Sequence, residues 1–427
     1  MLTLCLVLLV VMIVIGAPIA YVIGLPVTLI ILFTTQVPLK IVPQMMTAAV
    51  NSFPLMAIPF FLLAGNLMNI SGVSHRIFAF AETLVGHIPG GLGHVSVVAS
   101  MIFAGMTGSA VAEAGGLGVV ELEAMKKRGY DVDFSAGIVV SAATIGPIIP
   151  PSVIFVLYGV LAEVSIGALF LAGFIPGILM GLALMVRVYL ISRRKHYPVT
   201  PRASAAEVWR AFKGSFFALL MPVIIIGGML GGVFTPTEAA VVAALYAIAL
   251  GMCVYRELTF ADVWRTLRVT GLQTASVMII TATAVVLGWV LTRSQFSQAL
   301  TDYVLSVTRS PQLILLLLNV FLLISGCFIE VIAALIIYTP VFAPLLKAVG
   351  IDPVHFGVVM TLNLMIGLLT PPFGMGLFVV QKIAQISFEE MVRAALPFIM
   401  PLIIVLGLIT YVPGFTLWLP RMVLGTG

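Results

Sequence analysis

Consecutive prolines interrupt two apolar segments of the chain, GPIIPPS at residues 146–152 and GLLTPPFG at residues 367–374. Because proline has no backbone N–H and clashes with the preceding turn, each interruption should break a helix and leave carbonyl oxygens unpaired. In hydrocarbon an unpaired carbonyl costs several kcal/mol, so such a break survives only inside protein or beside a wet cavity. Matching breaks in two halves of one chain indicate a transporter with an ion and substrate site near the membrane midplane.

Small and hydroxyl-bearing residues near both breaks could coordinate a hard cation such as sodium through carbonyl and hydroxyl oxygens. The first predicted sodium site combines a Gly-rich hairpin tip with the first break and comprises Thr107, Gly108, Ser109, Thr144, Gly146 and Ile149, with Ser141 as a further hydroxyl candidate. The second predicted sodium site comprises Gly326, Gly367, Thr370 and the carbonyl of Phe373. The alternative is that these small residues only let membrane helices pack closely.

Carboxylates and amides in apolar surroundings are candidates for substrate contact, because polar residues inside a membrane are functional by default. The candidates are Ser109, Asn66, Glu113, Glu330 and Asn363. Two further acids, Glu163 and Glu238, fall near predicted turns and are expected to face water. Glu113 and Glu330 could instead accept hydrogen bonds from backbone amides at hairpin tips, and the asparagines could bridge neighbouring helices.

The composition places the chain in a helical membrane. Of its 427 residues 61% are hydrophobic and only 9% are charged, and its mean hydropathy is +1.22, whereas about a quarter of the residues of a soluble protein are charged. Runs such as residues 166–189, 216–234 and 398–419 meet the requirement of about 20 apolar residues for a spanning helix. Outer-membrane barrels give no such runs, so we expect a multi-pass protein of the bacterial inner membrane.

Several classes of function find no support in the sequence. It contains no phosphate loop, HExxH helix or nucleophile elbow, so neither ATP hydrolysis nor another enzymatic activity is expected. The three cysteines and five histidines are scattered without the spacing of metal ligands. The formal charge of +5 reflects basic loops, above all residues 187–213, which the positive-inside rule places in the cytoplasm. No nucleic-acid partner is expected.

The two breaks lie 221 residues apart, and the hairpin motifs that begin at Thr107 and Ser325 lie 218 residues apart, which indicates an internal repeat. The first half contains five predicted crossings, and an odd number forces the second half to lie upside down in the membrane. We therefore predict an all-α polytopic membrane protein built as an inverted repeat with two re-entrant hairpins and two discontinuous helices. Its first repeat is residues 1–209, with a hairpin at 91–124 and a broken helix at 134–160, and its second is residues 210–427, with a hairpin at 312–346 and a broken helix at 354–381.

Five short motifs follow one another along the chain, namely GSAVAEAGGLG (108–118), GPIIPPS (146–152), GGVFTPTEAA (231–240), GLLTPPFGMGLF (367–378) and WLP (418–420). Together they resemble the large membrane subunit of tripartite ATP-independent periplasmic (TRAP) transporters, and the resemblance covers essentially the whole chain. It implies sodium-coupled import of an organic acid, with Na⁺ as the coupling ion. Sialic acid and C4-dicarboxylates are the typical substrates, and general likeness favours sialic acid slightly.

The resemblance also implies partners and a mechanism. The partners are a small four-helix membrane subunit, a periplasmic substrate-binding protein and membrane lipid. The mechanism is an elevator, as in the ion transporter superfamily, in which a transport domain slides against a scaffold and each domain is drawn from both repeats. The sodium ligands that the family implies are Gly108, Ser109, Gly146, Gly326, Gly367 and Thr370. Two alternatives remain, a stand-alone divalent-anion sodium symporter and a channel or structural membrane scaffold whose prolines only kink helices.

Overall fold

The computed structural model describes residues 7–9, 11–12, 15–34, 37–372 and 374–425. Within these residues the chain is helical and has no β-strand. The first half contains α1 (Ile19–Thr34), α2 (Ile41–Val50), α3 (Ala57–Ile70), α4 (Val73–Val85), α5 (Gly91–Thr107), α6 (Ala110–Lys127), α7 (Val132–Ala143), α8 (Val153–Leu161) and α9 (Ile166–Lys195). A 3₁₀ turn, Phe53–Met56, leads into α3. Half of the residues of the first predicted crossing, near residues 2–17, lie outside the described residues.

The second half begins with α10 after an extended connection. Its helices are α10 (Ala205–Leu230), α11 (Pro236–Ala249), α12 (Phe260–Arg293), α13 (Phe296–Val307), α14 (Pro311–Gly326), α15 (Val331–Ala348), α16 (Pro353–Gly367), α17 (Met375–Ala384), α18 (Phe388–Tyr411) and α19 (Gly414–Leu424). A π-helical turn, Leu250–Val254, extends α11.

Among the described residues, seven helices are long and apolar enough to cross a membrane. They are Phe53–Ile70, Ile166–Lys195, Ala205–Leu230, Pro236–Val254, Phe260–Arg293, Val331–Ala348 and Phe388–Tyr411. The prediction of an all-α polytopic membrane protein is therefore confirmed. Several other apolar helices are only 10–17 residues long, which is shorter than the stretch of about 20 residues that a full crossing needs.

Two helix pairs follow the same order in both halves of the chain. In each half two helices meet at a tight turn (α5 with α6, α14 with α15), and two further helices are separated by the proline break (α7 with α8, α16 with α17). Helices α6 and α15 are both 18 residues long, and their first residues, Ala110 and Val331, are 221 positions apart. Helix α6 packs on α7, and α14 and α15 pack on α16.

A second group of helices packs beside these units. Helix α3 packs along α11, and α12 lies against α1, α2 and α3. Helices α9 and α18 pack against each other, and α18 also covers α7. The hairpin units and the broken helices are thus held between long helices from both halves of the chain.

Capping boxes set the starts of four long helices. In each of them a Ser or Thr accepts a hydrogen bond from the backbone N–H three residues later, and the acid at that position bonds back to the cap. The pairs are Ser204 with Glu207, Thr235 with Glu238, Thr259 with Asp262 and Ser387 with Glu390. Two of these starts fall within residues 257–268 and 387–395, which are amphipathic in sequence and are predicted from it to be interfacial pieces separate from the spans. The structure instead shows those pieces as the first turns of α12 and α18.

Candidate functional site

The first break separates α7 from α8 and leaves backbone oxygens without partners. The carbonyls of Gly146 and Pro147 would normally accept hydrogen bonds from residues 150 and 151, which are both proline and have no N–H. In the described part of the chain no backbone amide donates to the carbonyl of Gly146 or of Ile149. Two of the predicted sodium ligands therefore have free carbonyl lone pairs.

The tip of the first hairpin touches this break. Gly108 joins α5 to α6 in the left-handed conformation, with φ of +58°, which glycine adopts without steric cost. A β-carbon on Gly108 would lie 2.6 Å from the carbonyl oxygen of Pro151 and 3.2 Å from Cα of Ser152. The hairpin tip is thus in backbone contact with the second proline of the break, a distance that only glycine permits.

Glu113, on the first hairpin, faces the same break. It is 1% exposed, and a β-carbon on Gly146 would lie 2.5 Å from its Oε2. Neither carboxylate oxygen has a hydrogen bond of normal geometry within the described residues, although the Ser100 hydroxyl is adjacent. The salt bridges of the described residues do not include Glu113 either. A buried carboxylate without a partner is costly unless it is protonated or holds a cation.

Two hydroxyl groups of the same region are also buried without a partner, those of Thr107 and Ser141. The hydroxyl of Thr144 donates to the carbonyl of Ser141 at 2.6 Å, and it keeps its own lone pairs free. Ser109 is the N-cap of α6, where its Oγ accepts from the amide of Ala112 at 3.4 Å. The first predicted site is therefore a set of buried oxygens whose hydrogen-bonding capacity exceeds the donors that the protein supplies.

The second break makes the same kind of contact with the second hairpin. A β-carbon on Gly367 would lie 2.8 Å from the Cα, the carbonyl carbon and the carbonyl oxygen of Gly326. The amide of Thr370 donates to the Gly367 carbonyl at 3.0 Å, and its hydroxyl donates to the carbonyl of Ile366 at 2.8 Å. The structure brings together Gly326, Gly367 and Thr370, whereas Phe373 lies outside the described residues.

The candidate substrate residues are more widely spread. Glu330 is the N-cap of α15 and accepts from the amide of Ala333 at 3.1 Å, so its carboxylate has the backbone partner that the sequence left as one alternative. Asn66 bonds to Thr270 and Gln273 of α12. Asn363 is fully buried and bonds to Asn319 of α14. Within the described residues these two asparagines bridge helices, and only Ser109 and Glu113 of the five lie at the first break.

Sequence reasoning missed several polar contacts that hold the hairpins in place. The amide of Asn69, on α3, donates to the carbonyl of Ala112 at 3.2 Å and so links α3 to the start of α6. Inside the first hairpin the Ser96 hydroxyl donates to Glu121 at 2.5 Å. The spacing of Glu121 from Glu113, eight residues or two helical turns, is a signal that places both acids on one face of α6.

The oxygen atoms gathered at the breaks are suitable ligands for a hard cation. Among the residues that the structure describes, no group of three or more His, Cys, Asp and Glu side chains could hold a metal ion. The unpaired atoms at the first break are carbonyl, hydroxyl and carboxylate oxygens, which are the ligands that hard cations prefer.

The fold is similar to the folds of two solved membrane transporters. The structure is similar to that of the Alcanivorax borkumensis YdaH transporter, with a TM-score of 0.66 and 15% sequence identity over 98% of this chain and 99% of that chain. It is also similar to Neisseria gonorrhoeae MtrF, from a class of antimetabolite efflux pumps, with a TM-score of 0.56 and 12% identity over 96% and 95% of the two chains. Similarity at these identities concerns the fold alone.

The sequence identifies the family. Residues 6–415 match the family model of the tripartite ATP-independent periplasmic transporter, DctM component. The chain is 48% identical to the sialic acid TRAP transporter large permease protein SiaM of Vibrio cholerae over 93% of each chain. It is 42% identical to the C4-dicarboxylate TRAP transporter large permease protein DctM of Pseudomonas aeruginosa over 86% of each chain. The chain therefore belongs to the DctM family of TRAP transporter large permeases, whose members here are permeases and not enzymes.

Proposed function

We propose that this large permease imports an organic acid across the bacterial inner membrane and couples that import to sodium. The observation that carries the proposal is the pairing of each hairpin tip with its own broken helix, Gly108 with Pro151 and Gly326 with Gly367. At the first pairing the carbonyls of Gly146 and Ile149 have no backbone donor among the described residues, and such oxygens can replace the hydration shell of a cation. The two predicted sodium sites occupy these two junctions.

The substrate we propose is sialic acid, with a C4-dicarboxylate as the alternative. The relatives are named for sialic acid, C4-dicarboxylates and 2,3-diketo-L-gulonate, which are all organic acids. The permease protein named for sialic acid from Vibrio cholerae has the higher identity, 48%, against 42% for the dicarboxylate permease from Pseudomonas aeruginosa. Binding of candidate acids to the cognate periplasmic protein, measured by calorimetry, distinguishes the two substrates.

The proposed mechanism is an elevator. Because each hairpin contacts its break through glycine backbone, hairpin and break are expected to move as one body. The two bodies together form the transport domain, and α1–α3 with α10–α12 form the scaffold against which it slides. A small four-helix subunit and a periplasmic substrate-binding protein complete the transporter, and the inverted repeat, residues 1–209 and 210–427, relates the two junctions.

Uptake into proteoliposomes tests the coupling. Vesicles that contain this chain and the small subunit, with the binding protein added outside, should accumulate labelled sialic acid only under an inward sodium gradient. Uptake that persists after the gradient is collapsed would refute sodium coupling. Uptake without the binding protein would instead favour the stand-alone symporter, and uptake that neither saturates nor shows counterflow would favour a channel.

Two variants test the ligands. We expect Ser109→Ala and Thr370→Ala each to raise the sodium concentration for half-maximal uptake roughly tenfold, which corresponds to about 1.4 kcal/mol. Ser109 is also a helix cap, so the matched control is Ser165→Ala, which removes the equivalent cap of α9. Unchanged sodium dependence in both variants would remove the site assignment without touching the coupling itself.

A further inference from the structure

Helices α9 and α18 enclose an apolar groove on the outer surface of the chain, with a volume of about 670 Å³. Its walls are formed by Ala183, Val186 and Leu190 of α9 and by Met400, Pro401 and Ile404 of α18. Leu190, Met400 and Ile404 are 51%, 62% and 65% exposed. The groove therefore opens to the outside of the protein, and its apolar walls can accommodate a hydrocarbon chain.

A single arginine lies in this groove. Arg187 donates from Nε to the carbonyl of Pro397 at 3.0 Å. That carbonyl needs an outside donor because the residue four positions later, Pro401, has no N–H to close the helical bond. This hydrogen bond uses only the Nε–H of the guanidinium. Within the described residues its terminal N–H groups have no acceptor, and no carboxylate pairs with Arg187.

The length of α9 gives an estimate of the depth of Arg187 in the membrane. Helix α9 has 30 residues and is about 45 Å long, whereas the hydrocarbon layer is about 30 Å thick. With Ile166 at one edge of that layer, the other edge falls about 20 residues later, near Met185. Arg187 then lies at the level of the lipid phosphates. The end of α9 beyond it is strongly basic, with Arg193, Arg194 and Lys195 in the last turn.

We propose that the Arg187 groove binds an anionic glycerophospholipid. One acyl chain lies along the apolar walls, and the phosphate accepts hydrogen bonds from the terminal N–H groups of Arg187, a planar donor that matches phosphate geometry. The apolar walls favour a lipid over free phosphate, because free phosphate would gain nothing from them. The basic last turn of α9 favours a lipid with net negative charge over a zwitterionic one.

Native mass spectrometry of the purified full-length chain in detergent tests this proposal. The probes are phosphatidylglycerol and phosphatidylethanolamine with identical acyl chains, and inorganic phosphate as a headgroup without a tail. We expect the wild type to bind one phosphatidylglycerol roughly fivefold more tightly than phosphatidylethanolamine and to bind no inorganic phosphate. Arg187→Gln should abolish this preference, whereas Ala183→Trp, which fills the groove and leaves the arginine in place, should weaken binding of both lipids.

The matched control is Arg293→Gln, which removes an arginine at the end of another long helix, α12, and should leave the preference unchanged. The idea fails if Arg187→Gln binds phosphatidylglycerol like the wild type, if Ala183→Trp has no effect, or if the control has the same effect as Arg187→Gln. Because Arg187 also satisfies a backbone carbonyl, its loss could unfold the protein. In that case the lipid site is tested with Arg187→Lys, which keeps the positive charge and a hydrogen-bond donor, and with Ala183→Trp. Lipid binding is measured without transport, so the experiment tests the lipid site independently of the proposed function.

Discussion

The carboxylate of Glu113 lies directly against Gly146, so close that a β-carbon on the glycine would come within 2.5 Å of Oε2. One residue belongs to the first hairpin and the other to the first broken helix. The contact therefore places a buried carboxylate without a hydrogen bond of normal geometry beside a carbonyl that has lost its helical donor.

Gly146→Ala tests this close contact. The added methyl group must displace Glu113 from the break, and overpacking of this kind costs about 1–3 kcal/mol. We expect a lower unfolding temperature and reduced sodium-driven uptake. The control is Gly115→Ala on the same hairpin, where a β-carbon meets no atom within 4 Å and where alanine should stabilise the helix by about 0.5–1 kcal/mol. Equal behaviour of the two variants would contradict the contact.

Gly367→Ala tests the second junction. Its β-carbon would lie 2.8 Å from three backbone atoms of Gly326, and backbone atoms cannot rotate away as a side chain can. We expect the hairpin to separate from the break and the sodium dependence of uptake to weaken, measured as the sodium concentration for half-maximal transport. Gly407→Ala in α18, where a β-carbon meets nothing within 4 Å, should transport like the wild type. Unaltered sodium dependence in Gly367→Ala would argue against an ion at this junction.

The buried amide chain of Asn363, Asn319 and Thr410 gives a prediction about stability. Asn363 Nδ2 donates to Asn319 Oδ1 at 2.7 Å, and Asn319 Nδ2 donates to the hydroxyl of Thr410 at 3.0 Å. Asn319→Leu leaves one N–H of the Asn363 amide without an acceptor, at a cost of about 1–3 kcal/mol, while the other N–H keeps the backbone carbonyl of residue 319 at 3.0 Å. The double variant Asn319→Leu with Asn363→Leu should lose less than the single one, because no unpaired amide remains. Thermal unfolding in detergent measures both, and a double variant that is less stable than the single one would refute the pairing.

Asp131 gives a prediction about pH. Hydrogen bonds from Lys195 and from Tyr197, the latter at 2.8 Å, hold the pKa of Asp131 below its ordinary value of 3.8. A lowered pKa in the folded state stabilises the protein above the ordinary value, and this contribution disappears as the pH falls through the lowered pKa. We therefore expect Asp131→Asn to destabilise the protein at pH 6 and to have little effect well below pH 3.8.

Thermal unfolding over a pH series measures the difference between the Asp131→Asn variant and the wild type. Asp133→Asn is the control, since that carboxylate is exposed two residues further on and has no salt bridge within the described residues. A difference for Asp131→Asn that persists unchanged to the lowest pH would contradict the ionic role.

Much of the fold follows from the sequence because prolines and glycines act locally. The proline pairs place the breaks, and the structure has them between Ala143 and Val153 and between Gly367 and Met375. The starts of α12 and α18 do not follow from the sequence, because their amphipathic first turns look like separate interfacial pieces. Capping boxes and uninterrupted backbone bonds join those turns to the spans, and hydrophobicity alone does not report that continuity.

The two hairpin acids show what the sequence could and could not decide about the site. Glu330 is itself the N-cap of α15, so its carboxylate meets backbone amides. Glu113 is the fourth helical residue after its cap, Ser109, whereas an acid that closes a capping box is the third. This one-residue difference is visible in the sequence and explains why Glu113 cannot reach back to the cap. That Gly146 faces it depends on how α6 packs on α7, which no local pattern predicts.

The length of α12 has a mechanical consequence. Arg268 and Arg293 are separated by 25 residues, or about 37 Å along the helix, which exceeds the hydrocarbon thickness of about 30 Å by little more than one turn. If α12 moved along the membrane normal by more than that margin, one guanidinium would enter the lipid interior, at a cost of about 2.5–3.5 kcal/mol. The two arginines therefore hold α12 at one depth in the membrane, and in the proposed elevator the neighbouring helices are the ones that move.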